Sequence, residues 1–445
     1  MRVAIVHQPL GPLRLPATTG SIEVWVFEVA RRLAKSNDVL VYSIRASDQT
    51  RSETYEGVRY CRISTPADDC LLRSCQRHPK LRRLLGFVGP KRPLFAAQLA
   101  YLEYAIRVAA DVRRQRCDLV HVLNFSQLVP VIRAFNPHVK IVLHMQCEWL
   151  SQLDPQMIKR RLGKCDLVVG CSEFITRRIR NAFPELAGRC HTLYNGVDVK
   201  RFVPEERESK AKGNKRLVFV GRIWADKGPH VLIQAFNEIV KHHPETRLEF
   251  IGWKTGPPKA YLVGLTSDEY VGGIMPLYNR GFYRYLERIT SPEAAARVSY
   301  CDALPHAELA QRLKDASIAI FPSVWNEPFG MVIVEAMSCG VPVIATAGGG
   351  IPEIVEDGTS GLLVPRGDSA ALAGAIIRLL EDEELRKPIG KAARERVVQN
   401  FSWDKIASDT LRYYHDGCVD FGGRESSQTP RFGTRSKPGE VGRVI

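Results

Sequence analysis

Residues 321–345 read Phe-Pro-Ser-Val-Trp-Asn-Glu-Pro-Phe-Gly-Met-Val-Ile-Val-Glu-Ala-Met-Ser-Cys-Gly-Val-Pro-Val-Ile-Ala, and Gly-Gly-Gly-Ile-Pro-Glu follows at 348–353. The apolar run 318–321 has strand character and stops at Pro322; after a polar loop, an apolar-periodic helix starts near Gly330. Glu327 and Glu335 bracket that junction with seven residues between them, one in the loop and one about a turn inside the helix. Strand, loop and helix in that order set both carboxylates at the carboxyl edge of a parallel sheet, where open α/β sheets hold ligands. The helix start adds unpaired N–H groups and the positive end of a dipole, a seat for phosphate. A nucleotide sugar needs acceptors for its hydroxyls and donors for its diphosphate, and this segment supplies both.

The same alternation extends in both directions and implies parallel α/β structure. In the first half, strand-like runs at 3–7, 39–42, 118–123, 140–144 and 166–170 alternate with helical patterns at 23–34, 95–114 and 173–183. Ser172 before Glu173 is an N-cap directly after a strand. A short strand at 189–194 closes at the turn Asn195-Gly196, and residues 198–214 turn charged and aperiodic, as a linker does. The second half restarts with strands at 216–220 and 247–251 around a helix at 229–240, and resumes after an irregular stretch with strands at 297–301 and 317–321. Helices are expected at 305–315, 369–381, 384–400 and 403–414. The expectation is two doubly wound, Rossmann-like domains facing across a cleft: 1–197, then linker 198–214, then 215–400. An inserted loop is expected at 253–281, a helix at 401–417, and a disordered Gly/Ser/Pro/Arg tail at 418–445.

A second constellation stands at Gly221-Arg222 and Lys227-Gly228. Two cations at the carboxyl edge of a strand, beside a helix start, make an anion site. By themselves they would pass for surface residues of an ordinary βα loop; the Glu327–Glu335 segment downstream favours diphosphate binding.

Composition narrows the class. A chain of 445 residues suits two large domains. No run of about 18 uninterrupted apolar residues is present, and residues 93–112 are broken by Gln98, Glu103, Arg107 and Asp111. Eleven cysteines, odd in number and scattered without a Cys-x-x-Cys pair, suggest reduced thiols and a cytoplasmic protein. Residues 1–200 hold 31 Lys+Arg against 17 Asp+Glu, and eleven of the basic residues fall between Arg73 and Arg116. Such a face suits an anionic membrane surface or a phosphorylated acceptor; no nucleic-acid-binding motif accompanies it.

The string from Pro322-Ser323 to Gly330, with Glu335-Ala336, Gly340-Val341-Pro342 and residues 348–353, resembles the retaining glycosyltransferases of family 4, group 1 enzymes of GT-B architecture. The resemblance implies transfer of a hexosyl unit from a nucleoside-diphosphate sugar to an acceptor hydroxyl, with retention, in polysaccharide or glycoconjugate synthesis. It implies that Glu335 holds the ribose, Glu327 a sugar hydroxyl, and the N–H groups of Phe329, Gly330 and Met331 orient sugar and phosphate. Arg222 and Lys227 would offset charge on the leaving diphosphate, His144 would face the sugar from the first domain, and Gly20 would approach the phosphates. The family shows two consecutive glycines there, whereas this chain has Gly20-Ser21; Ser21 is expected either to be strained or to cap the helix. The expected partners are the donor, a lipid-linked or saccharide acceptor, and the inner face of a membrane, with no cofactor and no essential metal, since no Asp-x-Asp motif is present. The helix near Trp403 is expected to cross back onto the first domain. A non-catalytic nucleotide-sugar sensor or assembly protein and a sugar-nucleotide epimerase remain open as alternatives.

Overall fold

The computed structural model describes residues 1–84, 89, 91–205, 215–279 and 281–416. The expected tail at 418–445 and most of the expected linker, from 206 to 214, lie outside the described residues.

Two sheets organise the chain. The first contains β1 (Arg2–Val6), β2 (Asp38–Ile44), β3 (Ser52–Tyr55), β4 (Val58–Ile63), β5 (Leu119–Leu123), β6 (Lys140–Met145), β7 (Leu167–Gly170) and β8 (Cys190–Thr192), in the spatial order β3-β4-β2-β1-β5-β6-β7-β8. The second contains β9 (Arg216–Val220), β10 (Arg247–Ile251), β11 (Val298–Cys301), β12 (Ile318–Phe321), β13 (Val343–Thr346) and β14 (Leu362–Val364), in the order β11-β10-β9-β12-β13-β14. Every strand pair is parallel except β3–β4. Central strands such as Val3-Ala4-Ile5-Val6 and Ile318-Ala319-Ile320 are wholly buried, as covered parallel sheets require. Strand order reverses between β1 and β5, and again between β9 and β12, so each sheet opens a ligand crevice beyond those carboxyl ends.

The structure corrects three expectations. The β3–β4 hairpin, turned by Glu56 (φ 45°) and Gly57 (φ 76°), was not anticipated, because all four residues of β3 are exposed and carry no alternation. The helical pattern at 95–114 is not one helix: a 3-10 turn at Leu94–Ala96 is separated by left-handed Tyr101 from the helix Leu102–Arg114. The Asp68 carboxylate fixes that start by accepting from the N–H groups of Glu103 and Tyr104, both at 2.9 Å. The segment 253–281 is a packed unit rather than a loop. It holds a short helix, Glu269–Gly273, capped by Asp268, and buries Val263, Val271, Ile274 and Tyr278.

The helix Trp403–Asp416 returns to the first sheet. Arg32 and Asp404 pair at 2.7 Å, the Tyr413 hydroxyl donates to the Thr192 carbonyl at 3.1 Å, and Trp403 is buried against Gly196. Residues 199–204 dock on the second half, where the Ser338 hydroxyl and the Arg394 guanidinium donate to the Phe202 carbonyl. Among the described residues no helix is long and apolar enough to cross a membrane.

Candidate active site

A cleft of about 430 Å³ lies between the sheets and is lined by segments leaving strand carboxyl ends: Gln8 and 18–24 after β1, Gln146 after β6, Arg222 and Lys227 after β9, and 323–335 after β12. Eight of the nine residues singled out from the sequence line it together: Gly20, Arg222, Lys227, Glu327, Phe329, Gly330, Met331 and Glu335. His144 does not.

Glu327 is the best-anchored group. Its Oε2 accepts from Lys227 Nζ (2.5 Å), Trp325 Nε1 (2.9 Å) and Ser323 Oγ (3.3 Å). Burial pushes its carboxyl up, but the Lys227 charge and hydrogen bond, then Trp325 and Arg222, outweigh burial and leave it below the usual range. The loop around it is clamped from behind: Gly350 N–H donates to the Glu327 carbonyl at 2.7 Å, and Gly349 (φ +64°) lies so close that a Cβ would sit 2.1 Å from that oxygen. The glycine run at 348–350 thus shapes the Glu327 loop by being small. Gly228 (φ +72°) plays the same part for the Lys227 turn, where a Cβ would sit 1.9 Å from the Pro322 carbonyl oxygen.

Arg222 pairs with wholly buried Asp226 at 2.8 Å, and its Nε is buried with no acceptor. Burial lowers its pKa, and Asp226 followed by Glu327 more than restores it. Glu335 is opposite in character. It is buried on the helix Met331–Ser338, and burial raises its pKa to about 8. His306 Nε2 stands 3.6 Å from its Oε1, too long for a hydrogen bond, and burial holds that imidazole neutral with a pKa of about 4. Gly330 (φ +108°) caps the helix, whose first N–H groups have no intrahelical acceptor.

Two readings at the first-domain wall are corrected. Ser21 is the first residue of the helix Ser21–Leu33; it is neither strained nor the cap, since Gly20 (φ 81°) occupies that position. His144 lies inside β6 and is fully buried: its Nδ1 meets His121 Nε2 at 3.1 Å and its Nε2 meets Gln146 Nε2 at 3.0 Å. The strand runs one residue further than expected, so the group it delivers to the cleft is Gln146. Sequence reading also passed over Asn195, taken there as a mere turn; it lines the cleft, hydrogen-bonded to Gln146. The two-residue alternation along β6 is the signal that pairs 144 with 146.

The halves also touch at the cleft. Glu353 accepts from the N–H groups of Glu173 and Phe174, both at 2.7 Å, at the start of the helix Glu173–Ala182. Tyr261 of the insertion packs against Phe95 and Trp149, and the Trp149 indole donates to its carbonyl at 3.0 Å. On the other flank Asp268 accepts from Asn326 (2.8 Å) and Arg366 (2.9 Å). The basic run 73–116 is not one face. Arg92 pairs with Asp154 beside the insertion, whereas Arg113 to Arg116 lie at the far end of the 13-residue helix, where Arg2 donates to the Gln115 carbonyl.

Two largely parallel sheets thus bound a cleft that holds carboxylates and cations, and likeness to known proteins identifies the class. Residues 202–396 match the model of group 1 glycosyl transferases, and residues 22–201 match that of glycosyltransferase family 4. The chain therefore belongs to the group 1 glycosyltransferases of GT-B fold. It is 25% identical to spore coat protein SA of Bacillus subtilis, across 93% of this chain and 99% of that protein. It is 27% identical to a D-inositol 3-phosphate glycosyltransferase of Streptomyces bingchenggensis, across 93% and 89%. Similar folds include sucrose-phosphate synthase from Thermosynechococcus elongatus (TM-score 0.68, 20% identity, 93% and 98% covered). Anabaena Alr3699/HepE, solved in complex with UDP-glucose, is another (TM-score 0.64, 20% identity, 93% and 99% covered).

Proposed function

We propose that this glycosyltransferase moves a hexosyl unit from a nucleoside-diphosphate sugar to an acceptor hydroxyl with retention of configuration, in polysaccharide or glycoconjugate synthesis. The observation that carries the reading is the convergence of Arg222, Lys227, Glu327 and Glu335 on one cleft between the sheets. Glu335 accepts from the ribose hydroxyls. Glu327, whose Oε2 is saturated by three donors, turns Oε1 to a hydroxyl of the sugar. Lys227, Arg222 with its unpartnered Nε, and the helix start behind Gly330 stabilise charge as it builds on the departing diphosphate. The acceptor attacks on the face the diphosphate leaves, which keeps the anomeric configuration. Contacts across the cleft exclude water and limit donor hydrolysis. The UDP-glucose complex of the Anabaena fold neighbour makes UDP-sugars the first donors to test.

A nucleotide-sugar panel by calorimetry, followed by nucleoside diphosphate release with candidate acceptors, tests the reading. Binding of one donor with acceptor-dependent release supports transfer; binding without release under any acceptor favours the sensor alternative, and interconversion of the donor without release favours the epimerase. We place the acceptor, lipid-linked or saccharide, on the first-domain side, where exposed Arg73, Arg77, Lys80, Lys91 and Arg92 face solvent. Each basic group near an anionic leaflet contributes about 1 kcal/mol, so flotation with anionic vesicles at low salt checks peripheral attachment to a membrane's inner face.

A further inference from the structure

We infer that Tyr414 on the returning C-terminal helix is a positioning residue, acting through His121 and His144 to set the cleft amides Gln146 and Asn195 against a hydroxyl of the transferred sugar. The inference rests on the donor-site reading above. Five side chains make one unbroken line: the Tyr414 hydroxyl lies 2.8 Å from His121 Nδ1, His121 Nε2 lies 3.1 Å from His144 Nδ1, and His144 Nε2 lies 3.0 Å from Gln146 Nε2. Gln146 then closes a reciprocal amide pair with Asn195, at 3.0 and 2.8 Å. His121 and His144 are wholly buried, Tyr414 and Asn195 nearly so, and Trp25 packs against both imidazoles with ring centres 5.0 and 4.8 Å away. Only the amide end reaches the cleft.

Counting valences gives the line a direction. The two Nε2 protons of Gln146 go to Asn195 Oδ1 and His144 Nε2, so His144 carries its proton on Nδ1 and donates to His121. His121 in turn carries its proton on Nδ1 and donates to the Tyr414 oxygen. One lone pair on each amide oxygen and one N–H of Asn195 remain for a ligand. A hydroxyl, which both donates and accepts, satisfies that set. A carboxylate meets two carbonyl oxygens there, so a neutral hexose is favoured over a uronic acid. The crossover helix thereby sets the rotamer of a cleft residue on the opposite edge of its domain.

The test uses the full chain and whichever nucleotide sugar turns over, beside analogues each lacking one sugar hydroxyl. One deoxy donor is expected to lose at least about 100-fold in kcat/KM with wild type. Gln146→Leu is expected to cut that discrimination below tenfold while nucleoside diphosphate affinity stays within twofold. Tyr414→Phe is expected to lower kcat/KM for the full donor and narrow the same discrimination with diphosphate affinity unchanged, alongside the fall in Tm that an orphaned buried His121 N–H brings; a packing role would move Tm alone and leave discrimination intact. Nitrogen-15 NMR of histidine-labelled wild type reads the tautomers without turnover, and Nδ1–H is expected at both rings. An Nε2–H tautomer at His144, or full discrimination in Gln146→Leu, overturns the inference alone. Failure to bind any nucleotide removes the donor-site reading and this inference with it.

Discussion

Glu335 and Glu327 show how little residue type decides. Both are buried glutamates eight positions apart, yet Glu327 is held ionised by Lys227 while Glu335 is raised to about 8 by burial. A carboxyl raised on folding contributes stability while protonated and loses it as pH climbs from the ordinary value of 4.5 to about 8. Wild-type Tm is therefore expected to decline across that window by more than that of Glu335→Gln. Ribose hydroxyls donate to a carboxylate and favour its ionised form, so nucleotide binding at pH 7 is expected to release about one proton. Calorimetry in buffers of different ionisation enthalpy reads that release, and Glu335→Gln should abolish it; an enthalpy independent of buffer in wild type would sink the ribose assignment. Glu327→Gln is expected to lower kcat about 10²–10³-fold with nucleoside diphosphate affinity changed far less. Equal loss in both would make Glu327 a binding residue only. That Arg222, Lys227, Glu327 and Glu335 would stand at one sheet edge was legible in sequence, and all four line one cleft. What was not legible was His144 against Gln146, because one residue of strand length decides which side chain meets the cleft.

At the scale of elements, apolar runs located the strands that carry chemistry, since wholly buried parallel strands are uninterrupted in sequence. The elements that escaped are set by distant partners. Asp68, 35 residues before Glu103, starts the helix at Leu102, and β3 exists because β4 offers it a ladder. Two turns that line the cleft depend on glycines whose need is likewise tertiary. Gly228→Ala forces a Cβ towards the Pro322 backbone at a positive φ, and a cost of about 1–3 kcal/mol is expected. Chemical denaturation of the variant measures it; a loss within 0.5 kcal/mol, roughly that of a neutral surface change, would show that the turn yields freely.

Across the whole molecule, the insertion is fastened on both sides of the cleft, by Tyr261 to Phe95 and Trp149 and by Asp268 to Asn326 and Arg366. Aromatic pairs of this kind contribute about 0.5–1.5 kcal/mol each. Tyr261→Ala is therefore expected to shift the domains towards an open arrangement and to raise donor hydrolysis relative to transfer. Small-angle scattering with and without nucleoside diphosphate checks it, and an unchanged radius of gyration with unchanged hydrolysis would count against the strap. By itself the sequence determined the two doubly wound halves, the family and the charged residues that line the cleft, because period, turn residues and a continuous motif are local properties of the chain. Tertiary structure alone decided that the insertion is a packed bridge, that the basic run is spread over several separate elements, and that Gln146 with Asn195 reaches the cleft. Those facts depend on which distant segments meet, and no local pattern encodes a meeting of residues 414, 121 and 146.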